Sequence, residues 1–300
     1  MKRGTYNIIV FNDTMNSCQN SDILKTNIAL SKKNQRVYRQ EELLGKTTGI
    51  NTSWPHPINI NVSKDRTLQA AEKYDGKTVV LNFADFYKPG GLVKMGSGAQ
   101  EESLCRISTL YPCIAEDPRV REEFYHHHRD CQYTSLYNDD IIYTPNVVVF
   151  KKDDNDMYDL NEADWYNVDV ITCAAPNLRE IDISADTLYR IQKSRIMRIL
   201  EVADINGADN VILGAFGCGV FRNDPSVVAM AANDAIVEYT NRTNASFSNI
   251  EFAIYCPSKD MSNYEAFACE FNECYEEVVK EEDEDEEYDP FSYDDEEPAQ

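Results

Sequence analysis

A glycine turn followed by two adjacent carboxylates is the part of this chain best suited to chemistry. Pro89-Gly90-Gly91 comes after the apolar run 78–83, and Glu101 and Glu102 follow farther along, directly after Gln100. Glycine lets the backbone approach a ligand closely, and the first turn of a helix presents unpaired N–H groups. A carboxyl group beside such a turn can act as the acid in glycosidic bond cleavage. The segment therefore predicts a phosphate and sugar site with an acid beside it.

Glu101 and Glu102 are expected to differ in role because they are adjacent at a predicted helix start. Successive helical side chains point about 100° apart, so the two carboxyl groups cannot flank one bond as a glycosidase pair does. A helix N-terminus lowers a carboxyl pKa, whereas a general acid needs a raised pKa. Burial, the neighbouring carboxylate and a bound diphosphate must supply the opposing shift. Two acids in a first helical turn also have a purely structural explanation.

Two further polar loops come directly after apolar strands, Ala174-Ala175-Pro176-Asn177 and 217–223. In open α/β sheets ligands bind outside the carboxyl ends of the strands, so these loops and the glycine turn are expected to share one crevice. Gly217 and Gly219 permit the tight curvature of a phosphate cradle. Phe221 either stacks on a sugar ring or pins the loop to the core, and the residue types leave both alternatives open.

The elements that position these loops alternate between strands and helices. Short apolar runs rich in Val and Ile predict buried strands at 7–11, 78–83, 146–150, 168–174, 210–216 and 250–256. Helical patterns occur at 99–111, 184–206, 224–239 and 263–280. This alternation predicts an α/β sandwich with a mixed, largely parallel central sheet. Residues 14–66 and 112–145 lack a clear pattern and are expected to decorate that sheet, the first as a helical or irregular extension.

Much of the negative charge lies at the C-terminal end of the chain. The net charge is -23, and residues 276–300 hold fourteen of the acidic residues and a single Lys. Such a segment has too little apolar surface to offset the entropy of ordering. We therefore expect one domain over residues 1–275 and an acidic disordered tail over 276–300, which serves either solubility or the docking of a partner.

Composition also excludes several classes of protein. The apolar run 8–11 is too short for a signal peptide or a membrane span, and the acidic body argues against general DNA binding. The nine cysteines form no CxxC pair, which favours reduced thiols in a cytoplasmic or nuclear protein. His126-His127-His128 lacks the i, i+4 spacing of a metal pair, so we expect no metal.

Several segments of the chain together resemble the microbial-type poly(ADP-ribose) glycohydrolases, a branch of the macrodomain superfamily. The matching segments occur in the family's order, from residue 81 to residue 223. They are Leu81-Asn82-Phe83-Ala84, Pro89-Gly90-Gly91, Ala99-Gln100-Glu101-Glu102-Ser103-Leu104-Cys105-Arg106, Ser108-Thr109-Leu110-Tyr111, Thr172-Cys173-Ala174-Ala175-Pro176-Asn177 and Gly214-Ala215-Phe216-Gly217-Cys218-Gly219-Val220-Phe221-Arg222-Asn223.

The resemblance implies a three-layer α/β/α macrodomain-like sandwich and an enzyme without a metal or cofactor. It would cleave ribose–ribose O-glycosidic bonds of poly(ADP-ribose), mainly from the chain end, and release ADP-ribose. Glu102 would be the general acid, and Glu101 would position the sugar. The remaining positions carried over bind substrate. Asn82, Gly90 and Gly91 would hold the distal ribose, and Gln100 is a further substrate-binding position. The diphosphate would lie along Gly217, Cys218, Gly219, Val220 and Phe221, and Phe221 would close over the ribose.

One position departs from the family pattern. Leu92 stands where the family usually has a third glycine, and a residue with a Cβ cannot freely adopt the mirror-image conformations of glycine. Two alternatives therefore stay open: an ADP-ribose reader that does not hydrolyse, and a hydrolase of single ADP-ribosyl groups on protein or nucleic acid. The expected partner is poly(ADP-ribose) or an ADP-ribosylated macromolecule, with no membrane, and the chain is expected to be a monomer.

Overall fold

A computed structural model describes residues 1–44, 58–130, 134–242, 245–256 and 259–271. The acidic segment 276–300 and the end of the helix predicted at 263–280 lie outside the described residues. Within the described part, a seven-stranded mixed sheet forms the centre of the fold, with the strand order β1-β4-β5-β3-β6-β7-β2. The strands are β1 (Arg36–Tyr38), β2 (Asn59–Ser63), β3 (Thr78–Phe83), β4 (Ile141–Val149), β5 (Tyr166–Cys173), β6 (Asn210–Leu213) and β7 (Asn249–Ala253).

The pairing confirms the predicted mixed, largely parallel sheet. Strands β5, β3, β6, β7 and β2 run parallel to one another, whereas β4 is antiparallel to both β5 and β1. The carboxyl ends of β3, β5 and β6 therefore lie side by side at one edge of the sheet, which brings together the loops that follow them.

Helices cover both faces of the sheet and complete a three-layer sandwich. Along β3, Val79 and Leu81 pack toward α8 and α9, while Val80 packs with α1, α3 and α4 on the other face, as expected from the alternation of side chains in a strand. The helices are α1 (Arg3–Asn20), α2 (Asp22–Asn34), α3 (Thr67–Ala71), α4 (Gln100–Ile107), α5 (Leu110–Ala115), α6 (Pro118–Val120), α7 (His127–Asp130), α8 (Ala185–Ile205), α9 (Pro225–Arg242) and α10 (Ser262–Glu270), and Arg121–His126 forms a π-helical segment.

The N-terminal region is the main difference from the sequence-based expectation. The strand predicted at 7–11 is wrong, because these residues lie inside α1, and the region 14–66 contains α2 and two strands. The buried positions of α1 have helical spacing, but Asn7 and Thr14 are two of them. These polar residues interrupt the apolar stripe from which a helix is recognised.

Two other elements differ in length from the prediction. The helix predicted at 99–111 is broken at Ser108, which is extended (φ -144°, ψ 176°) and bridges Val149 of β4. Strand β4 starts five residues earlier than residue 146, since the chain continues through Pro145 with a register shift. By contrast, α8 begins as predicted, with the Ser184 side chain accepting a hydrogen bond from Thr187 N–H.

The cysteines only partly follow the expectation of reduced thiols. Six described cysteines are free, whereas Cys269 is disulfide-bonded. The expectation is wrong for Cys269 because it was based on the lack of CxxC pairs, which does not test pairs at other spacings. In the described part of the chain, no helix has the length and apolar character required to span a membrane.

Candidate active site

Helix α4 places Glu101 and Glu102 at the carboxyl end of β3, and the side chain of Gln100 fixes that placement. The Gln100 amide oxygen accepts a hydrogen bond from Phe83 N–H at 2.9 Å, while its amide nitrogen donates to Leu81 O at 2.7 Å and Thr67 Oγ1 at 3.0 Å. Both donors of Gln100 are therefore used within the protein. The residue attaches the start of α4 to β3.

Glu101 is 3% exposed and shapes the loop between β3 and α4, residues 84–99, which we call the β3 loop. Its Oε1 accepts hydrogen bonds from Gly90 N–H at 3.1 Å and Asn82 Nδ2 at 3.3 Å, and its Oε2 accepts from Asp85 N–H at 2.8 Å. Burial raises the pKa of Glu101 well above its usual range; the Asp85 N–H opposes this shift, and the charges of Asp85 and Glu102 add to it. All the contacts of Glu101 are with the protein.

Glu102 is also buried, but its two oxygens differ. Oε1 accepts a hydrogen bond from Leu92 N–H at 2.9 Å. Oε2 has no hydrogen-bond partner among the described residues, and it is not one of the fully buried polar atoms. One oxygen is thus held by the β3 loop while the other is available to a ligand. The two carboxyl groups therefore have different hydrogen-bond environments, as expected for adjacent helical positions.

Gly90 and Gly91 of the β3 loop have conformations and neighbours that exclude a side chain. Gly90 has φ 71° and Gly91 has φ 55°. A Cβ on Gly90 would lie 2.6 Å from the Tyr111 ring, and one on Gly91 would lie 2.6 Å from Glu102 Oε1. Leu92, in contrast, has φ -106° and is 44% exposed, so the position adjacent to this pair accepts an ordinary residue without strain.

Asn82 contributes a buried acceptor next to the glutamates. Its side chain is fully buried, and its Nδ2 donates to Glu101 and to Thr172 Oγ1 at 3.2 Å. Its Oδ1 has no hydrogen-bond partner in the described part of the chain. A buried carbonyl oxygen without a partner is costly, so a ligand hydroxyl at this point would satisfy it.

The loop between β6 and α9, residues 214–224, is held by the side-chain amide of Asn223; we call it the β6 loop. The Asn223 nitrogen donates to the carbonyls of Pro176 (2.7 Å), Gly217 (3.2 Å) and Phe221 (3.3 Å), and its oxygen accepts from Gln192 at 2.7 Å. Asn223 therefore connects the loop after β5 to the loop after β6. The prediction that these two loops lie together is confirmed.

The β6 loop presents main-chain donors without protein partners. The N–H groups of Gly219, Val220 and Phe221 have no hydrogen-bond acceptor among the residues that the structure describes. Gly217 has φ 83°, and a Cβ there would lie 2.6 Å from the Ala175 side chain. Three successive free N–H groups in a tight curve form an anion-binding concavity. Burial raises the pKa of the Cys218 thiol, so Cys218 contributes here as a neutral group.

Phe221 is half-buried and connects the β6 loop to an aromatic cluster. Its ring lies 6.3 Å from Tyr137, which stacks on Phe86 at 4.2 Å. Part of Phe221 packs against the core while part of it remains accessible. The same ring can therefore both pin the loop to the core and cover a bound sugar.

Comparison with known proteins decides the family. The model of the microbial-type PARG catalytic domain, where PARG stands for poly(ADP-ribose) glycohydrolase, matches residues 3–152, half of the chain. The chain belongs to this family. No curated protein matches it.

Solved PARG structures share the fold over most of the chain. The PARG of Thermomonospora curvata bound to the inhibitor ADP-HPD is 29% identical, with a TM-score of 0.76 over 88% of this chain and 98% of that chain. The PARG of Deinococcus radiodurans in complex with ADP-ribose is 28% identical, with a TM-score of 0.69 over 82% of this chain and 97% of that chain. The macrodomain-like α/β architecture and the membership of an enzyme family are thus established.

The structure adds residues to the candidate site that have no assigned role in the sequence analysis. Asn223 and Gln192 hold the β6 loop, and Thr172 positions Asn82. Asn223 ends the segment 214–223, and its place shortly after Gly217 and Gly219 is the signal in the sequence. Tyr137 lies in a stretch without a pattern, so no signal pointed to it.

The histidine run contributes packing within the PARG fold. His128 is fully buried, stacks on Phe86 at 3.7 Å and has Nε2 2.9 Å from Asp140 Oδ2. Among the described residues, no group of three or more His, Cys, Asp or Glu side chains is arranged to hold a metal ion.

Proposed function

We propose that the chain hydrolyses the ribose–ribose O-glycosidic bonds of poly(ADP-ribose), mainly from the chain end, and releases ADP-ribose. Family membership supports this activity, as do the related structures that hold ADP-ribose or the inhibitor ADP-HPD. The observation that carries the proposal is the asymmetry of Glu102, in which one carboxyl oxygen is bound to Leu92 N–H and the other is available.

Glu102 acts in this mechanism as the general acid. Its protonated carboxyl group donates a proton to the leaving ribose oxygen as the bond between that oxygen and the anomeric carbon breaks, and Glu102 becomes a carboxylate. Water then attacks the oxocarbenium-like carbon and returns a proton to Glu102, so the enzyme is restored. The substrate's own diphosphate helps to orient this water. A single acid meets the requirement, since Glu101 has all of its contacts within the protein.

The other site residues bind and orient the substrate. Asn82 Oδ1 accepts a hydroxyl of the terminal ribose, and Gly90 and Gly91 allow the backbone to approach that sugar. Gln100 keeps α4 in position. The diphosphate lies on the β6 loop, where the free N–H groups of Gly219, Val220 and Phe221 support binding of an anion. The exposed part of the Phe221 ring covers the ribose.

The test measures ADP-ribose release from poly(ADP-ribose) by the full chain and by Glu102→Gln. Glutamine keeps the shape of the side chain but cannot donate the proton, so we expect a loss of about 10²- to 10⁴-fold in rate with ADP-ribose binding retained in calorimetry. Glu265→Gln, at an exposed position of α10, is the matched control. Equal rates for Glu102→Gln and the unchanged chain would remove Glu102 from the mechanism.

The same assay distinguishes the alternative functions. A chain that binds ADP-ribose but releases none from any substrate is a reader. A chain that acts on singly modified protein or nucleic acid but not on polymer is a hydrolase of single ADP-ribosyl groups. Both results would overturn the proposed activity on polymer.

A further inference from the structure

A cavity of about 580 Å³ lies behind the β6 loop. It is bounded by the loop that follows β5 and by the first turns of α8 and α9, with Ile181, Leu188 and Val227 among its apolar lining residues. Its volume falls within the range of small-molecule sites. Neither the two glutamates nor Asn82 lines this cavity, so it is separate from the candidate active site.

The cavity nevertheless shares a wall with that site. Arg222, which lines the cavity, directly follows Phe221. Leu178, another lining residue, donates its N–H to Phe221 O at 2.9 Å. The guanidinium carbon of Arg179 lies 5.8 Å from the centre of the Phe221 ring. A substrate that extends past Phe221 therefore meets this cavity next.

Two arginines in the cavity wall are available to an anion. Arg222 is exposed and has φ 59°, and its side chain has neither an ion pair nor a hydrogen bond in the described part of the chain. Arg179 donates to Asn177 Oδ1 at 3.0 Å and likewise has no ion pair among the described residues. A left-handed conformation is uncommon for a residue with a side chain, and such residues cluster at binding sites.

Carboxylates also line the cavity. Asp224 caps α9, where its Oδ1 accepts hydrogen bonds from Ser226 N–H at 2.9 Å and Val227 N–H at 3.2 Å, so the helix dipole offsets its charge. Glu180 and Asp182 are exposed. A cavity with arginines, carboxylates and apolar side chains suits a ligand that combines phosphates, amino groups and a flat apolar ring.

We propose that this cavity binds the second ADP-ribose unit of the polymer, on the leaving-group side of the bond that is cleaved. The diphosphate of that unit contacts Arg179 and Arg222, its adenine covers the apolar side chains, and the exocyclic amino group of the adenine donates to a carboxylate. The inference rests on the proposed polymer hydrolysis and extends it to the second unit of the substrate. A substrate with only one ADP-ribose unit would leave the cavity unfilled.

The experiment compares two substrates of the full-length chain. One is poly(ADP-ribose), and the other is a single ADP-ribose with a small phenol at the anomeric carbon, which has no second unit. For the double variant Arg179→Ala/Arg222→Ala, we expect KM for the polymer to rise about tenfold and kcat/KM for the phenol substrate to change by less than about twofold. Arg242→Ala is the matched control, since it removes a cation from the exposed far end of α9.

Binding measurements distinguish failure of the second-unit site from failure of the proposed hydrolysis. In a Glu102→Gln background, the double variant should bind polymer more weakly and single ADP-ribose as before. Equal polymer KM and affinity in variant and parent would overturn the second-unit site. Equal losses on both substrates would overturn it too, because the arginines would then act on the first unit. If the unchanged chain hydrolyses neither substrate, the proposed function itself fails.

Discussion

The β3 loop and the β6 loop lie at the ends of adjacent parallel strands, but opposite chemical groups hold them in shape. In the β3 loop, the carboxylates of Glu101 and Glu102 accept hydrogen bonds from main-chain N–H groups. In the β6 loop, the amide of Asn223 donates to main-chain carbonyls. The first arrangement occupies the N–H groups of Asp85, Gly90 and Leu92. The second occupies carbonyl acceptors and leaves the N–H groups of Gly219, Val220 and Phe221 free.

Because of this difference, the two loops favour different parts of a ligand. The β3 loop presents the carboxyl groups of Glu101 and Glu102, which already accept the N–H groups of Asp85, Gly90 and Leu92, so this part of the crevice suits a neutral sugar and disfavours a phosphate. The β6 loop presents three free N–H groups in succession, which suit a phosphate. A ligand with a diphosphate beside a ribose is therefore favoured in one orientation, with the ribose at Glu102.

Among variants of the two loops, the largest effect is expected for Gly91→Ala in the β3 loop. Its Cβ would lie 2.6 Å from Glu102 Oε1 at a φ of 55°, so the carboxyl group or the backbone has to move. A displacement of about 1 Å in a catalytic group costs about 10²-fold. Steady-state assays of ADP-ribose release should show a loss of about that size.

Gly219→Ala in the β6 loop is the matched comparison for Gly91→Ala. A Cβ there has no neighbour within 4 Å, and the N–H group is kept, so we expect a loss of less than about tenfold. Losses of equal size for both variants would contradict the expectation that Gly91 is required as a glycine and Gly219 is not.

Asn223→Asp should break the β6 loop while leaving the β3 loop intact. The substitution places an oxygen opposite three carbonyls that now accept hydrogen bonds, and unsatisfied buried groups cost about 1–3 kcal/mol each. We expect ADP-ribose affinity to fall by at least about tenfold and the free energy of unfolding to drop by about 2–3 kcal/mol. Calorimetry and urea unfolding measure the two changes.

Asn27→Asp on α2 controls for the change of charge, because its amide donates only to a helical carbonyl. If Asn223→Asp binds ADP-ribose as tightly as this control does, Asn223 does not hold the loop in its binding shape.

The β3 loop is held by a buried carboxyl group with a shifted pKa, that of Glu101, and this predicts a pH dependence. Burial raises the pKa of Glu101 in the folded chain above its usual value of 4.5. The folded state then binds more protons than the unfolded state, so stability falls as pH rises above about 4.5, by about 1.4 kcal/mol per pH unit, until the folded pKa is passed. Glu101→Gln removes this contribution.

The measurement is the difference in unfolding free energy between the unchanged chain and Glu101→Gln from pH 4 to pH 8. The unchanged chain should lose stability relative to the variant as pH rises. A relative gain would show that the three hydrogen bonds to Glu101 outweigh its burial.

The sequence predicts this site well where the requirement is local. A glycine with positive φ, a helix start and a serine cap depend on neighbouring residues, and Gly90, Gly91, Ser184 and the start of α4 agree with expectation. The alternation of apolar runs with helices likewise predicts the parallel part of the sheet.

Prediction fails where distant contacts decide the structure. Helix α1 buries Asn7, whose amide donates to Gly96 O at 3.0 Å in the β3 loop, so a polar residue occupies a core position for a reason invisible in α1 itself. Ser108 interrupts the helix predicted at 99–111 because it bridges β4. The role of Asn223 depends on Pro176 and Gln192, both more than thirty residues away in the chain.

The smallest effect is expected for Leu92→Gly, which tests whether the turn at residues 90–92 needs a third glycine. Leu92 has φ -106°, and its N–H group, which a glycine would keep, donates to Glu102 Oε1. We therefore expect activity on polymer within about twofold of the unchanged chain. The free energy of unfolding should fall by about 0.4–1 kcal/mol, since glycine raises the entropy of the unfolded chain. A gain in activity of tenfold or more would instead show that Leu92 obstructs the ribose, and the turn at residues 90–92 would then need three glycines rather than two.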